Sequence, residues 1–199
     1  DVNFYVAEDS ALDREAYQRG TSVYFPDRAI PMFPEHLSSE VCCLLKGRDR
    51  LTNSVWMEFD PAGKQVAYDI KPSLIRSKER FTYTLVRQIL KDQDERLIQQ
   101  YQEFLPSLSL MKNLSELLLQ RRVQRGSLDF DLPEPEIVLD LQGRVENIVK
   151  AERNLAHRMI EEFMIAANET VAAHITWMQI PMIYRTHEAP GTEKIAGFN

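Results

Sequence analysis

Glycine is scarce in this sequence, with seven copies among 199 residues. A phosphate-binding loop needs several glycines at fixed spacing, because only glycine lets backbone N–H groups approach a phosphate closely. The sequence has no such loop, and it also lacks the G-x-S-x-G turn that exposes a nucleophilic serine. These absences exclude the enzyme classes that depend on those motifs.

Cysteine is rarer still, and its two copies, Cys42 and Cys43, are adjacent. Neighbouring cysteines are poorly placed for a structural disulfide, and no basic start with an apolar run indicates a secretion signal. No apolar run approaches the roughly 18 residues that a membrane-spanning helix needs. The four histidines share no zinc-ligand spacing. We therefore expect a cytoplasmic protein with no membrane partner.

Positive charge is in deficit, since the formal net charge is -6. A general positive field for nucleic acid is thereby excluded, and any such binding would depend on local clusters. Two basic runs precede an aromatic residue, a combination that suits the phosphates and unpaired bases of single strands. From spacing alone, a solvated charged face beside a core aromatic residue is the stronger interpretation. The runs are Lys71, Arg76, Lys78 and Arg80 before Tyr83, and Arg121, Arg122 and Arg125 before Phe130.

Acidic residues are plentiful, but they do not form the dense cluster that a two-metal nuclease site needs. Asp9 and Asp13 share a predicted helix face, and Asp129 and Asp131 share a predicted strand face. Pairs of this kind are typical of solvated surface carboxylates. The sequence therefore predicts no metal site and no catalytic residue within this chain.

Hydrophobic residues make up 44% of the chain, enough for the core of one domain. Alternating apolar residues predict a β-hairpin over residues 51–77 with a turn at DPAGK, and a second hairpin around Gln142 and Gly143. Helical spacing predicts helices over 10–19, 35–44, 82–90, 94–124 with a break at Pro106, and 152–173. Short strands are expected at 3–6 and in the tail MIYRTHEAP. The predicted fold is α+β, a mixed β-sheet with surrounding helices.

Two local stretches are unusual. Residues 19–38, RGTSVYFPDRAIPMFPEHLS, contain three prolines that fix φ and remove backbone donors, so we expect an extended edge and a rigid loop. In the last predicted helix, two adjacent apolar stripes indicate burial over most of its surface. A narrow polar line interrupts that surface at Asn154, Arg158, Glu161 and Asn168.

One series of stretches covers nearly the whole chain: DVNFYV, LDREAYQRGTSVYFPDRAIPMFPEHLS, CCLLKGRDRLTNSVWMEFDPAGK, SLIRSKERFTYTLV, RGSLDFDLPEPEIVLD, AHRMIEEFMIAANETVA and YRTHEAP. In content and order the series resembles the central part of the RNB catalytic domain in the ribonuclease II and ribonuclease R family. The resemblance implies a processive 3'-to-5' exoribonuclease that hydrolyses single-stranded RNA to nucleoside 5'-monophosphates with Mg²⁺.

The resemblance is to part of that domain. The acid cluster that binds the metal in the family lies upstream of the position matching Asp1, and a motif with a catalytic arginine lies beyond Asn199. We therefore expect residues 1–199 to be a partial RNB domain, inactive by itself, with the Mg²⁺ ligands outside this chain.

The same resemblance implies four RNA contacts. Tyr24 matches a tyrosine that stacks on the terminal bases, and Phe130 matches the aromatic residue at the other end of the stack. Tyr83 matches a tyrosine along the RNA path, and Glu161 an acid that contacts the terminal sugar. Structural alternatives are a loop aromatic for Tyr24, a core ring for Phe130 and a pair between Glu161 and Arg158.

Two other functions remain compatible with the residues. One is a non-catalytic RNB relative that only binds RNA or regulates, and the other is a soluble interaction domain without an RNA role. The roles of Arg185 and His187, like the oligomeric state, are not assigned by the sequence.

Overall fold

The computed structural model describes residues 1–128, 135–140, 142–186 and 191. Helices and small sheets alternate along the chain, which confirms the α+β class. The helices are α1 (Val2–Tyr5), α2 (Ala11–Arg19), α3 (Tyr83–Leu90), α4 (Glu95–Gln100), α5 (Leu105–Gln124) and α6 (Leu155–Trp177), with a π-helical turn at His36–Val41 and a 3-10 turn at Gln102–Phe104. The strands are β1 (Val23–Tyr24), β2 (Ala29–Ile30), β3 (Asp49–Phe59), β4 (Gln65–Arg76), β5 (Pro135–Leu139) and β6 (Val145–Lys150).

Strand pairing differs from the expected mixed sheet. Within the described ranges the named strands form three separate antiparallel ladders, β1–β2, β3–β4 and β5–β6, each between strands consecutive in sequence. Parallel pairing occurs there as an isolated bridge between Lys46 and Ser77. Each ladder is a hairpin, because a short turn can join antiparallel strands while parallel strands need a long crossover.

Helix starts follow the capping residues in the sequence. The hydroxyl of Ser10 accepts the N–H of Asp13 at 3.1 Å, and that of Thr82 accepts the N–H of Leu85 at 3.2 Å. Each hydroxyl satisfies an N–H that the first turn leaves without a helical partner. The expected break at Pro106 is misplaced. The helix breaks at residues 101–104, and Pro106 lies in the first turn of α5, where a proline is tolerated.

The main core lies between α3, α5 and the N-terminal half of α6. Its buried members are Val86, Ile89, Leu108, Ala156 and Met159, with Ile89 only 1% exposed. Partly buried aromatic side chains from the segments before α3 and α5 pack against this cluster. Three helices are thus held together by one small apolar cluster, so their ends keep fixed relative positions.

The C-terminal half of α6 packs on the β3–β4 hairpin. The hydroxyl of Tyr68 lies 3.2 Å from Nδ1 of His174, and the hydroxyl of Thr170 lies 2.9 Å from Oε1 of Gln65. The expected burial of α6 is confirmed for most of the helix, whose residues are mainly buried or half-buried, but it fails at particular positions. Met164, from a predicted apolar stripe, is 60% exposed, while Glu162 is buried. A buried acid is possible here because a cation from α5 faces it.

Two predicted short strands are not found in the described residues, and residues 187–190 of the predicted tail strand and loop lie outside them. Residues 3–6 belong to α1 and its end, where the N–H of Val6 bonds to the carbonyl of Val2 at 3.0 Å. Four alternating residues fit a helical turn as well as a strand, so the pattern cannot decide between them. The described tail, residues 182–186, has no regular structure. Among the described helices, none has the length and apolarity needed to cross a membrane.

Candidate nucleic-acid interface

Tyr24 lies on the short β1–β2 ladder, directly opposite Ala29. The connecting turn closes with a 2.7 Å hydrogen bond from the N–H of Phe25 to the carbonyl of Arg28. The Arg28 guanidinium also lies over the Phe25 ring, 5.5 Å from its centroid. The Tyr24 ring is 80% exposed. The hairpin therefore presents a flat aromatic surface to solvent.

The base of this hairpin is tied to α2 and to itself. The N–H of Met32 donates to the Ser22 hydroxyl at 2.9 Å, and the Arg19 guanidinium donates to the carbonyl of Pro31 at 3.2 Å. Proline also limits the backbone at that point. These bonds agree with the expected rigid loop and restrict the positions that Tyr24 can reach.

Tyr83 is the first residue of α3, and its ring stacks on the imidazole of His157. The ring centroids are 3.8 Å apart and the planes differ by 23°. His157 lies in the first turn of α6, where its Nδ1 accepts the backbone N–H of Asn154 at 3.3 Å. Tyr83 is 45% exposed. One ring face is thus covered by His157, which leaves the rest of the ring as the surface available to a base.

Glu161 lies four residues after His157 on α6 and forms an ion pair with Arg153 at 2.7 Å. The alternative that paired Glu161 with Arg158 is therefore wrong. Arg153 directly precedes the N-cap of α6, and its guanidinium donates to the Glu161 carboxylate eight residues further along the chain. Glu161 remains 39% exposed at its side chain, so the carboxylate is still accessible from solvent.

The neighbouring acid, Glu162, has the opposite environment. Its carboxylate accepts hydrogen bonds from Nη2 of Arg122 at 2.6 Å and from Nε at 3.0 Å, and both side chains are largely buried. Nη1 of Arg122 also donates to the hydroxyl of Ser127 at 2.7 Å. This arginine therefore fixes α5 to α6, and its inclusion in an RNA-facing basic run is not supported by its position. Sequence spacing cannot reveal a partner 40 residues away.

Other members of the basic runs are also paired. Arg76 forms two hydrogen bonds with the carboxylate of Asp49 across the β3–β4 ladder, and these lower the pKa of Asp49. Arg125 pairs with Glu169 on α6 at 3.1 Å. Lys78 is exposed, next to Glu79, whose pKa is lowered mainly by a hydrogen bond from Lys46. Most residues of the two basic runs are therefore solvated or paired with acids. This agrees with the solvated charged face that their spacing favoured over RNA contact.

The described acids do not converge on a metal position. One oxygen of Asp13 accepts the N–H of Asp9 at 2.9 Å, so this pair supports the start of α2. Within residues 1–128, 135–140, 142–186 and 191, no group of three or more histidines, cysteines or acids could hold a metal ion. Asp129, Phe130 and Asp131 lie outside the described residues.

The predicted contacts are placed in two regions. Tyr83 packs against the face of α6 that carries Glu161, because it stacks on His157, one helical turn before Glu161. Tyr24 lies on its own hairpin, and no hydrogen bond or ring contact joins it to either residue in the described part of the chain. Sequence reasoning missed His157 and Arg153. For His157 the signal was its position three residues after Asn154, which is the spacing of a capping box, whereas Arg153 had no comparable signal.

A family model for the RNB domain matches residues 1–199. This chain belongs to the RNB domain family. It is 45% identical to ribonuclease R of Aquifex aeolicus over 195 residues, covering 98% of this chain and 28% of that protein. It is 39% identical to ribonuclease R of Escherichia coli over 198 residues, covering 100% of this chain and 24% of the relative. The chain thus spans about a quarter of the length of these relatives.

Solved structures share this RNB fold. RNase R of Mycoplasma genitalium in complex with ribose methylated single-stranded RNA matches with a TM-score of 0.88 and 33% identity, over 98% of this chain and 30% of that one. The same enzyme with double-stranded RNA gives a TM-score of 0.89 over 99% of this chain and 35% of the other. Yeast Ssd1, described as a pseudonuclease, matches with a TM-score of 0.75 and 19% identity, over 98% of this chain and 23% of that one, which shows the fold alone.

Proposed function

We propose that the protein containing this chain is a processive 3'-to-5' exoribonuclease that hydrolyses single-stranded RNA to nucleoside 5'-monophosphates. The observation that supports this most is the 45% identity to a ribonuclease R over 98% of the chain. The RNA complexes of an RNase R with the same RNB fold agree with RNA as the substrate. The working location we propose is the cytoplasm.

In this proposal residues 1–199 grip the RNA and do not cut it. Tyr24 stacks on a base near the 3' end, Tyr83 offers its uncovered surface to a second base, and Glu161 accepts from the terminal ribose. Stacking on such rings contributes about 1 to 3 kcal/mol per base in single-strand binders. Phe130 is proposed to close the stack, although it lies outside the described residues.

The described residues do not fit a magnesium site, since no three of their histidines, cysteines or acids are grouped so that they could hold a metal ion. We propose that Mg²⁺ serves the intact enzyme through ligands outside this chain. The contribution of residues 1–199 is then to hold the RNA end in place, because positioning of the reacting phosphodiester lowers the barrier to its hydrolysis.

The decisive experiment compares Tyr24→Ala with Tyr17→Ala in the intact protein. Tyr17 is also strongly exposed, at 88%, but lies on α2 and has no proposed RNA contact. A 5'-labelled oligoadenylate is digested and the final products are separated on a sequencing gel. We expect Tyr24→Ala to change the length of the limit product by about one or two nucleotides while hydrolysis continues, because one stacked base is lost.

Tyr17→Ala should leave the limit product unchanged. If both variants gave the wild-type product, the proposed role of Tyr24 would be wrong. A purified wild-type protein that binds oligoadenylate but releases no mononucleotide with Mg²⁺ would support the rival, a non-catalytic RNA-binding member of the family. Absence of both binding and hydrolysis would favour an interaction domain without an RNA role.

A further inference from the structure

A cavity of about 500 Å³ lies where the end of α3, the middle of α5 and the start of α6 come together. That volume falls within the range of about 300 to 1,000 Å³ that small-molecule sites occupy. Its apolar lining includes Leu90, Leu119 and Leu155, and polar side chains from α5, from α6 and from the residues next to α3 and α6 complete it. Of the predicted RNA contacts that the structure describes, Tyr24, Tyr83 and Glu161, none lines this cavity.

The cavity is positively charged although the chain as a whole is negative. Four cationic and two acidic side chains line it: Lys91, Lys112, Arg153 and Arg158, with Glu116 and Glu162. The lining therefore carries a formal charge of +2. A basic cavity in an acidic protein is expected to concentrate anions.

Some of the charged side chains in the lining are neutralised by ion pairs and others are not. Lys112 pairs with Glu116 at 3.1 Å, and Glu162 pairs with Arg122, which does not line the cavity. Arg153 is engaged with Glu161. Lys91 and Arg158 are exposed and form no ion pair within the described ranges. These two cations supply the excess charge of the cavity.

Asn154 adds an unused donor at the same place. Its side chain is the N-cap of α6, where Oδ1 accepts the N–H of Ala156 at 2.9 Å and of His157 at 3.4 Å. Asn154 is only 9% exposed, and its Nδ2 has no hydrogen-bond partner in the described structure. Asn154 also slightly lowers the pKa of Glu152, after the larger effect of Arg87, but that carboxylate does not reach hydrogen-bonding geometry with Nδ2.

A buried donor without a partner destabilises a protein unless something accepts its hydrogen bond. Asn154 lines the cavity, so an acceptor bound there lies next to the residue that carries this unused donor. The neighbouring Ser115 hydroxyl does not compete for that acceptor, because it donates to the carbonyl of Lys112 at 2.7 Å. The start of α6, a helix of 23 residues, adds the partial positive charge of its N-terminus.

We propose that this cavity binds the phosphate group of a small phosphomonoester. A terminal phosphate carries a charge of about −1.5 to −2 at pH 7 and several acceptor oxygens, which matches two unpaired cations and one free amide donor. Its organic part lies against the leucines of the lining. The cavity adjoins one proposed RNA contact, because Arg153 lines the cavity and pairs with Glu161, but the inference does not depend on the ribonuclease activity.

The test is calorimetric titration of the intact protein with inorganic phosphate, phenyl phosphate and dimethyl phosphate at constant ionic strength. We expect phenyl phosphate to bind more tightly than inorganic phosphate, because its ring contacts the apolar lining. Dimethyl phosphate, a diester with a single charge, should bind much more weakly. Equal binding of the diester, or signals that sodium chloride reproduces, would overturn the proposal.

Three variants locate the site. Lys91→Gln combined with Arg158→Gln removes the unpaired charge, and we expect it to weaken phenyl phosphate binding at least about tenfold, equivalent to about 1.4 kcal/mol. Asn154→Asp keeps a good N-cap but replaces the free donor by a charged acceptor, so it should abolish binding. Lys64→Gln removes an exposed charge from the β3–β4 turn and should have no effect. Wild-type affinity in the first two variants, with their helical content intact by circular dichroism, would refute the assignment.

Discussion

The Tyr83 ring lies face to face with the His157 imidazole, 3.8 Å between centroids, and so joins the first residue of α3 to the first turn of α6. His157 also accepts the backbone N–H of Asn154, which fixes the imidazole plane. The orientation of Tyr83 is therefore set by His157, the side chain that completes the capping box of α6. A surface tyrosine without such a neighbour would sample more rotamers and lose more entropy when a base stacks on it.

We predict that Tyr83 and His157 are energetically coupled. A double-mutant cycle of Tyr83→Ala and His157→Ala, followed by urea unfolding, should give an interaction free energy of about 0.5 to 1.5 kcal/mol. The control cycle pairs His157→Ala with Tyr17→Ala, since Tyr17 is exposed on α2. Its interaction free energy should be near zero. Additive effects in the Tyr83 cycle would contradict the stacking seen here.

The hairpins and helix starts could be predicted from sequence because their causes are local. Alternating residues around DPAGK specify β3 and β4, and the hydroxyls of Ser10 and Thr82 cap the helices that follow them. The candidate site was only partly predictable. Tyr24 could be identified through the family resemblance, in a segment whose prolines predict a rigid loop, whereas the partners of Glu161 and Arg122 depend on how helices pack. Charge spacing in one segment carries no information about a carboxylate on another.

The ion pair between Arg122 and Glu162 should be essential for stability. Glu162→Gln leaves a largely buried guanidinium without its counter-charge, and we expect a loss of about 3 to 5 kcal/mol in the free energy of unfolding. The control is Glu169→Gln, which removes the acid from the exposed pair with Arg125 on the same two helices. Exposed pairs contribute little, so this loss should be below about 1 kcal/mol. Equal losses in urea unfolding would mean that burial of the first pair has no energetic effect.

Two glycines in equivalent turns have the same backbone conformation but different surroundings. Substituting each therefore distinguishes the cost of backbone strain from the cost of a steric clash. Gly63 and Gly143 have φ of 73° and 76°, and each donates its N–H to the backbone carbonyl of the aspartate three residues earlier. A Cβ at Gly63 would lie 3.1 Å from Cβ of Leu117 on α5, whereas at Gly143 it would meet nothing within 4 Å. The first turn is thus packed against a helix and the second faces open space.

We predict that Gly143→Ala costs about 1 to 2 kcal/mol of unfolding free energy, the strain of a positive φ in an L-residue. Gly63→Ala should cost that amount plus about 1 to 3 kcal/mol, because the turn must move away from α5. Urea denaturation of both variants gives the difference directly. A Gly63→Ala loss no larger than that of Gly143→Ala would show that the turn moves away from α5 without cost.

Stability should decline in acid partly through Glu152. Its carboxylate accepts a 2.6 Å hydrogen bond from Arg87, which is the main reason that its pKa lies below the ordinary value for glutamate. A carboxyl whose pKa is lower in the folded state stabilises the fold at pH above its unfolded pKa, about 4.3, and loses this contribution as pH falls through the folded pKa. We expect Glu152→Gln to lower the urea midpoint at pH 7, and the difference from wild type to shrink steadily below about pH 4.3.

The control is Glu146→Gln, which removes an exposed acid in β6 and should show no such pH-dependent difference. A Glu152→Gln difference that stayed constant down to pH 3 would mean that the contact with Arg87 does not depend on the carboxylate charge.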